Sequence, residues 1–420
     1  MNKHFDIIVA GGGFSGVGAA ISAGRMGKKV LLIERYNCLG GAACFDLVNP
    51  FMTYWTTDKN SNNEKVFLSR GIFEEILNNL NALNAMIDPH RFNEEILKIV
   101  LNRMVTEAGV TLLFNSEIIG TEVEDGRVFS VDVSSISGTE RIEADYFIDC
   151  TGDGNLLFMS GFPFHLGRPS DNLCQPMTLC FRLGNVDREK FDKEVGTINP
   201  LYKKLMAENK FRNPREDVLL FTTTLDSIIH FNTTRVIKLN PTDVWDITKA
   251  EIEAREQVFE MVTFLKENFE CFKNSQLISS GIRIGARESR MADGLYTINQ
   301  EDMVSCAKPY DGIAACNYDI DIHSPDGGGT SHYYFPAGQY YTIPYRCLIP
   351  KGSKNLLVGG RCISATHEGQ ASLRIMPVCC NIGEAAGTAA AIAFDCKKAV
   401  DGIDTDCLRE VLRKNNAVVD

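Results

Sequence analysis

The chain has 420 residues, of which 44% are hydrophobic and 23% charged, enough for roughly two to three domains with ample core. Its formal net charge of -11 repels a phosphate backbone and argues against nucleic acid as a partner. The first strand-like run, FDIIVA, begins at Phe5, so no secretory signal is expected. No uninterrupted apolar run reaches the roughly 18 residues of a membrane span, so a cytoplasmic protein is expected. Fourteen cysteines form no C-x-x-C pair, the spacing that favours zinc or an iron-sulfur cluster, and Cys379 and Cys380 are neighbours that rarely make an unstrained disulfide. Free thiols in a reducing compartment and no metal are the expectation.

FDIIVA reads as a strand, Ser15 to Gly27 as a helix and KVLLIE as a second strand, which together make a β-α-β unit. The polar stretch from Thr56 to Lys65 reads as a surface loop. Helical segments follow at FEEILNNLNALNAM and at RFNEEILKIVLNRMVTEAG, which ends on Gly109. Asp125-Gly126 between alternating runs predicts a hairpin, and ADYFIDC predicts the next strand. From about Phe158 to Ile349 the pattern changes to strands, TLCFRL and SIIHFNTTRVIKL, with one long helix from near Asp246. Ala254, Val258, Met261, Val262, Leu265 and Phe269 give that helix a single apolar stripe. NLLVGG and the small-residue helix NIGEAAGTAAAIAF then return to the α/β pattern. The expected architecture is a Rossmann-like α/β domain made from both chain ends, residues 1–157 and 350–420, with an α+β substrate domain inserted at 158–349.

Gly11-x-Gly13-x-x-Gly16 directly follows a strand and opens a helix. The first glycine permits the tight turn, the second lets a pyrophosphate approach the backbone, and the third lets helix and strand pack closely. Free N–H groups and the helix dipole at that end hold phosphate. Glu34, at the end of the second strand and 23 positions after Gly11, can accept from ribose hydroxyls and repels a 2′-phosphate. IDCTGDG is a further strand running into a glycine turn. GGRCISATHEGQASLRIMP leads into a helix starting near Met376-Pro377, whose positive end suits the electron-rich edge of a reduced flavin.

Together DIIVAGGGFSGVGAA, Glu34 with LGG, DCTGDG, GARESRM, DIDIH, YTIPYRCLIP and NLLVGGRCISATHEGQASLRIMP through GEAAGTAAA resemble the FAD-dependent oxidoreductase family of the glutathione-reductase-like flavoproteins, over nearly the whole chain. The resemblance implies non-covalent FAD lined by Gly11, Gly13, Gly16, Glu34, Arg35, Gly40, Gly41, Gly152, Asp153, Arg361, Arg374 and Gly383. Family members commonly carry histidine-glycine where this chain has Gln370-Ala371.

A flavin disulfide reductase needs two thiols in a C-x-x-x-x-C arrangement after the double glycine. Cys44 has Asn49 at the second position, and Cys38 stands on the other side of Gly40-Gly41, so one thiol and no shuttle is the reading. No second strand-associated glycine fingerprint marks a nicotinamide domain, and DGGGTSH at Asp326 reads as a flexible loop. Electrons then come from a small-molecule substrate, from a visiting nicotinamide or from a protein partner. Hydride transfer also needs a group to handle the accompanying proton. His323 beside Asp321 is the first candidate, with Tyr341 and Tyr345. Arg283, Arg287 and Arg290 are candidates to clamp an anionic group. A dehydrogenase or reductase of a small organic molecule is the leading expectation. A flavin monooxygenase using NAD(P)H, or an electron-transfer subunit, is the alternative.

Overall fold

A computed structural model describes residues 3–58 and 64–420. Continuous apolar runs make buried parallel strands, because each must be covered on both faces. The first are β1 (Lys3–Ala10) and β2 (Val30–Ile33), joined through α1 (Phe14–Arg25), with Ile7 opposite Val30 and Ala10 opposite Ile33. β3 (Thr111–Leu113) extends that edge, and the hairpin β4 (Glu117–Glu124) and β5 (Arg127–Ser135) turns at Asp125-Gly126 as the dipeptide predicts. β6 (Gly138–Asp149) completes the order β3-β2-β1-β6-β5-β4. Its start pairs with β5 and its end with a strand from the far end of the chain, Leu356–Val358, which lies parallel to Phe147–Asp149. Ala10, Ile33, Asp149 and Val358 therefore finish on one sheet edge, where ligands of such folds sit.

Helices α2 (Ile72–Ala82) and α3 (Glu94–Glu107) pack beside α1. The polar stretch before them is flanked by Trp55–Thr57 and Lys65–Phe67, paired antiparallel, and its residues 59–63 lie outside the described residues.

The long C-terminal helix, numbered α6 below, spans Met376–Cys396 and lies against α1 and β6. Among the described residues it alone is long and apolar enough to cross a membrane, yet 94% of its apolar window is buried inside the protein, as in a core helix. It carries one buried acid, Glu384, which is 1% exposed and accepts the Ile72 N–H at 3.1 Å. Gly71 makes room for it, since a Cβ there would stand 2.4 Å from Glu384 Oε2. Burial, the largest influence, pushes this carboxyl from 4.5 up to about 7. The unfolded chain thus ionises first as pH rises, and stability falls across the window from about 4.5 to 7 and stays low above it. Glu384→Gln is expected to gain about 3 kcal/mol over the parent at pH 8 and almost nothing at pH 4.5, read by urea unfolding. Equal gains at both pH values would show that Glu384 is not held neutral.

The second core is built on an antiparallel sheet of β7 (Phe181–Gly184), β8 (Leu220–Thr222), β9 (Ile229–Phe231) and β10 (Gln276–Ser280), in the order β8-β9-β7-β10. Two helices cover it, α4 (Arg188–Ala207) and α5 (Val244–Asn268). The expected stripe of α5 is buried at Ala254, Val258, Met261 and Leu265, with Val262 partly buried and Phe269 just beyond the helix end. α4 was not expected. Pro200 in its interior breaks the sequence pattern, but Phe191, Ile198 and Tyr202 still bury one face.

The second core runs from Met177 to Ile284, whereas the buried residues from Met291 to Ile349 join the first core. The expected insert, 158–349, extends beyond it at both ends, since Phe162 also joins the first core. The predicted flexible loop at Asp326 is the turn of a hairpin, β11 (Ile320–His323) with β12 (Thr330–Tyr333), in which Asp321 faces His332.

Candidate active site

Between the two cores lies a cavity of about 490 Å³. Its outer end is the glycine turn after β1. Gly11 has φ +94, and a Cβ there would come 2.6 Å from the Cys150 carbonyl oxygen. Gly13 faces Gly41, whose Cβ would stand 2.8 Å from the Gly13 Cα, so only bare backbone fits between the two loops. Glu34, 6% exposed, uses one carboxylate oxygen to accept the Gly12 N–H at 2.6 Å and the other to accept the Tyr36 N–H at 2.9 Å. A carboxylate has about four acceptor sites, so each oxygen keeps capacity toward the cavity. On the opposite wall Arg361 donates to Asp153 at 2.6 Å and to Ser289 Oγ at 2.9 Å. Burial pushes the Asp153 carboxyl up, but Arg361 and then Arg283 outweigh it and hold it at about 2.

Nine of the twelve residues expected at FAD line this cavity: Gly11, Gly13, Glu34, Arg35, Gly40, Gly41, Gly152, Arg361 and Arg374. The other three act from behind. A Cβ on Gly16 would stand 1.8 Å from the Gly11 oxygen and one on Gly383 1.9 Å from the Ser15 oxygen, so both keep helices close, while Asp153 holds Arg361. The bare glycine cradle, the open acceptor sites of Glu34 and the helix start behind Gly13 fit an extended dinucleotide. Glu34→Ala is expected to weaken FAD binding about 10- to 100-fold, read by ultrafiltration of free flavin, because charge-assisted hydrogen bonds of about 1.5–3 kcal/mol are lost. Unchanged affinity would remove Glu34 from the cofactor site.

At the inner end the expected catalytic set divides. Arg287 and His323 line the cavity, and Tyr341 and Tyr345 do not. Tyr341 is 0% exposed and bonds Ser372 Oγ at 2.8 Å, and Tyr345 is 1% exposed and donates to the Val400 oxygen at 2.8 Å. Both are core residues with satisfied hydroxyls, so the catalytic expectation for them is corrected. His323 is in the cavity wall but is not a base. Arg235 donates to its Nδ1 at 2.9 Å, which leaves the proton on Nε2, 3.3 Å from Asp321 Oδ2. Burial, then the charge of Arg287, pushes this imidazole down to about 3, so it stays neutral with no free lone pair. Of the three candidate clamps, Arg283 is engaged by Asp46 at 2.6 Å and Arg290 by the Asp153 carbonyl and Asn155, both at 3.1 Å.

The residue that sequence reasoning missed is His332. Its Nδ1 lies 2.5 Å from Asp319 Oδ2, and Nε2 has no hydrogen-bond partner among the described residues. Its ring stacks on Tyr334 with centroids 5.3 Å apart and lines the cavity. The signal was present as two short alternating runs, DIDIH and TSHYY, on either side of a glycine turn, which is a hairpin pattern that puts Asp321 opposite His332. Asp319, Asp321 and His332 also have ligand atoms within 4.8 Å of one another, but Arg374, 3.3 Å from Asp321, already supplies positive charge there.

Cys38 and Cys44 are near enough behind the glycine loop for each thiol to act on the other, which pushes Cys44 up and Cys38 down. Neither lines the cavity, so their contact does not reach a bound flavin from that side. All fourteen cysteines are free.

Strand, glycine turn, helix and acidic strand end, closing on a cavity between two cores, define an α/β flavin-dinucleotide protein. The family model described as FAD dependent oxidoreductase matches residues 6–412, and the chain belongs to that family. It is an enzyme whose cofactor is FAD. No curated protein sequence matches it. Among solved structures, a geranylgeranyl bacteriochlorophyll reductase-like protein from Thermoplasma acidophilum is similar at 11% identity and a TM-score of 0.47, over 99% of this chain and 84% of that one. The p-nitrophenol 4-monooxygenase of Pseudomonas putida is similar at 10% identity and a TM-score of 0.45, over 99% and 82%. An anhydrotetracycline hydroxylase from Streptomyces rimosus is similar at 13% identity and a TM-score of 0.47, over 99% and 66%.

Proposed function

We propose that this oxidoreductase transfers a hydride between a small organic molecule and non-covalently held FAD, in the cytoplasm, with His332 carrying the accompanying proton. When bound, FAD supplies the two-electron acceptor or donor. The observation that carries this reading is the Asp319–His332 pair, whose imidazole lines the cavity. Asp319 accepts from Nδ1–H and so fixes the tautomer in which Nε2 has the free lone pair. That nitrogen takes a substrate proton in oxidation and returns it in reduction. Arg235, His323 and Asp321 form a buried brace behind the pair and hold the hairpin in register. Burial opposes ionisation of Asp321, but His323 and Arg374 hold its carboxyl well below the usual range. The abundance of buried free thiols supports a reducing compartment.

The test is flavin absorbance of the purified protein under strict anaerobiosis, first with NADH or NADPH and then with a dye-linked panel of organic donors. Bleaching by an organic donor supports the proposal. Rapid bleaching by nicotinamide alone, followed by oxygen-dependent hydroxylation of an added substrate, would replace it with a monooxygenase.

A further inference from the structure

We propose that Arg287 and Arg215 form a receptor for an oxyanion, a carboxylate or a phosphate, so that the substrate of this site is an anionic small molecule. The inference rests on the reading of the cavity as a substrate site and names the class it takes.

Three separate observations converge. Arg287 lines the cavity and, among the described residues, has no carboxylate within ion-pair distance. Its Nη1 donates to the Pro176 oxygen at 2.7 Å and to Thr178 Oγ1 at 2.5 Å, both neutral. Arg215 also lines the cavity and is only 5% exposed. Its Nε is held by Asp217 at 2.8 Å, yet its Nη1 is buried with no acceptor. Arg374, on the same wall, pairs with Asp321 at 3.3 Å and leaves a buried Nε without an acceptor.

A buried guanidinium without a counter-charge is costly, and one whose N–H groups also lack acceptors is costlier. The other acids of this end are already committed. Glu216 accepts from Arg235 at 2.9 Å and from Thr330 at 2.9 Å, and Asp217 and Asp321 hold Arg215 and Arg374. Burial and then the repulsion of Arg374 and Arg215 push Arg287 down to about 9. An oxyanion that presents two oxygens supplies the missing counter-charge, because a guanidinium fork meets two oxygens of a carboxylate or a phosphate in parallel. The backbone carbonyl of Arg287 accepts from Gln370 Nε2 at 2.6 Å, and Gln175 supports Gln370 at 3.2 Å. Gln370 thus positions Arg287 through its backbone. Hydride chemistry imposes the rest of the geometry, since an anchored oxyanion leaves the neighbouring carbon as the donor or acceptor.

The test needs no turnover. Holoenzyme is titrated with benzoate, malonate and inorganic phosphate, and with neutral benzamide and malonamide, following flavin absorbance and melting temperature. At least one anion should saturate at millimolar concentration and raise the melting temperature, while the amides do neither. Whether a carboxylate or phosphate responds identifies the group. Arg287→Gln, whose amide can still donate to Pro176, should weaken that anion at least tenfold with FAD content unchanged, and should not lower the melting temperature of the anion-free protein. If that variant fails to fold, Arg287→Lys applies the same tenfold criterion by keeping the charge and losing the fork. Equal binding of amides and anions, no binding of any anion, or undiminished binding by the variant would overturn the proposal, as would loss of FAD. Because binding is read directly, a failure here is distinct from failure to find a donor for the flavin.

Discussion

Gly383→Ala is expected to lower unfolding stability by more than about 3 kcal/mol and to strip most of the FAD from the protein. The ordinary cost of an extra methyl in a packed core is about 1–3 kcal/mol, because side chains can yield. Here nothing yields. The added Cβ would stand 1.9 Å from the Ser15 carbonyl oxygen, and the same seam holds Gly18, whose Cβ would meet the Cys380 oxygen at 2.4 Å, and Gly387, whose Cβ would meet the Ala19 oxygen at 2.1 Å. α1 and α6 touch backbone to backbone, so relief requires moving α1, whose start carries Gly13 and Ser15 of the cofactor cradle. The comparison is Gly27→Ala, at φ +76 with no atom near its Cβ, which should cost only about 1–2 kcal/mol of backbone strain and leave FAD in place. Urea unfolding and flavin content of the two variants decide the matter. If they behave alike, the close seam is not what holds the helices.

His332→Gln is expected to slow flavin reduction by the active organic donor about 100- to 10,000-fold, the usual range for a lost general base. FAD content should not change, since the residue touches none of the glycine cradle and its side chain is 33% exposed. Asp319→Asn should cost less and act through the tautomer, because an amide can donate to Nδ1 and turn the wrong nitrogen toward the substrate. The readout that separates catalysis from structure is chemical rescue. Added imidazole should restore part of the rate to His332→Ala while FAD content stays unchanged. Stopped-flow reduction that is unaltered in His332→Gln would assign the proton to another group.

The cofactor end was legible in the chain because its requirements are local. Gly11, Gly13 and Gly16 sit at fixed offsets from a strand, and Glu34 closes the next one, so spacing alone carries the geometry. The inner end was not. Tyr341 and Tyr345 look like a reactive pair until the first core closes over them, an event that depends on packing from distant elements. His323 and His332 occupy one hairpin, and only its register decides which ring is braced by Arg235 and which keeps a free nitrogen. Arg283, Arg287 and Arg290 are likewise equal in sequence. Their partners, Asp46, none among the carboxylates, and the Asp153 turn, come from residues more than a hundred positions away.

The pairing of Leu356–Val358 with β6 sets an order on biosynthesis. A ribosome releases the whole second core, Met177 to Ile284, before the strand that finishes the first sheet exists. The second core can condense from nearby segments during translation, while β6 waits with the last part of its edge unpaired. Gly360 and Arg361, the far wall of the cofactor cleft, arrive only after that. Flavin capture therefore waits until the chain has been made past the last residues of that wall, Arg374 to Cys379.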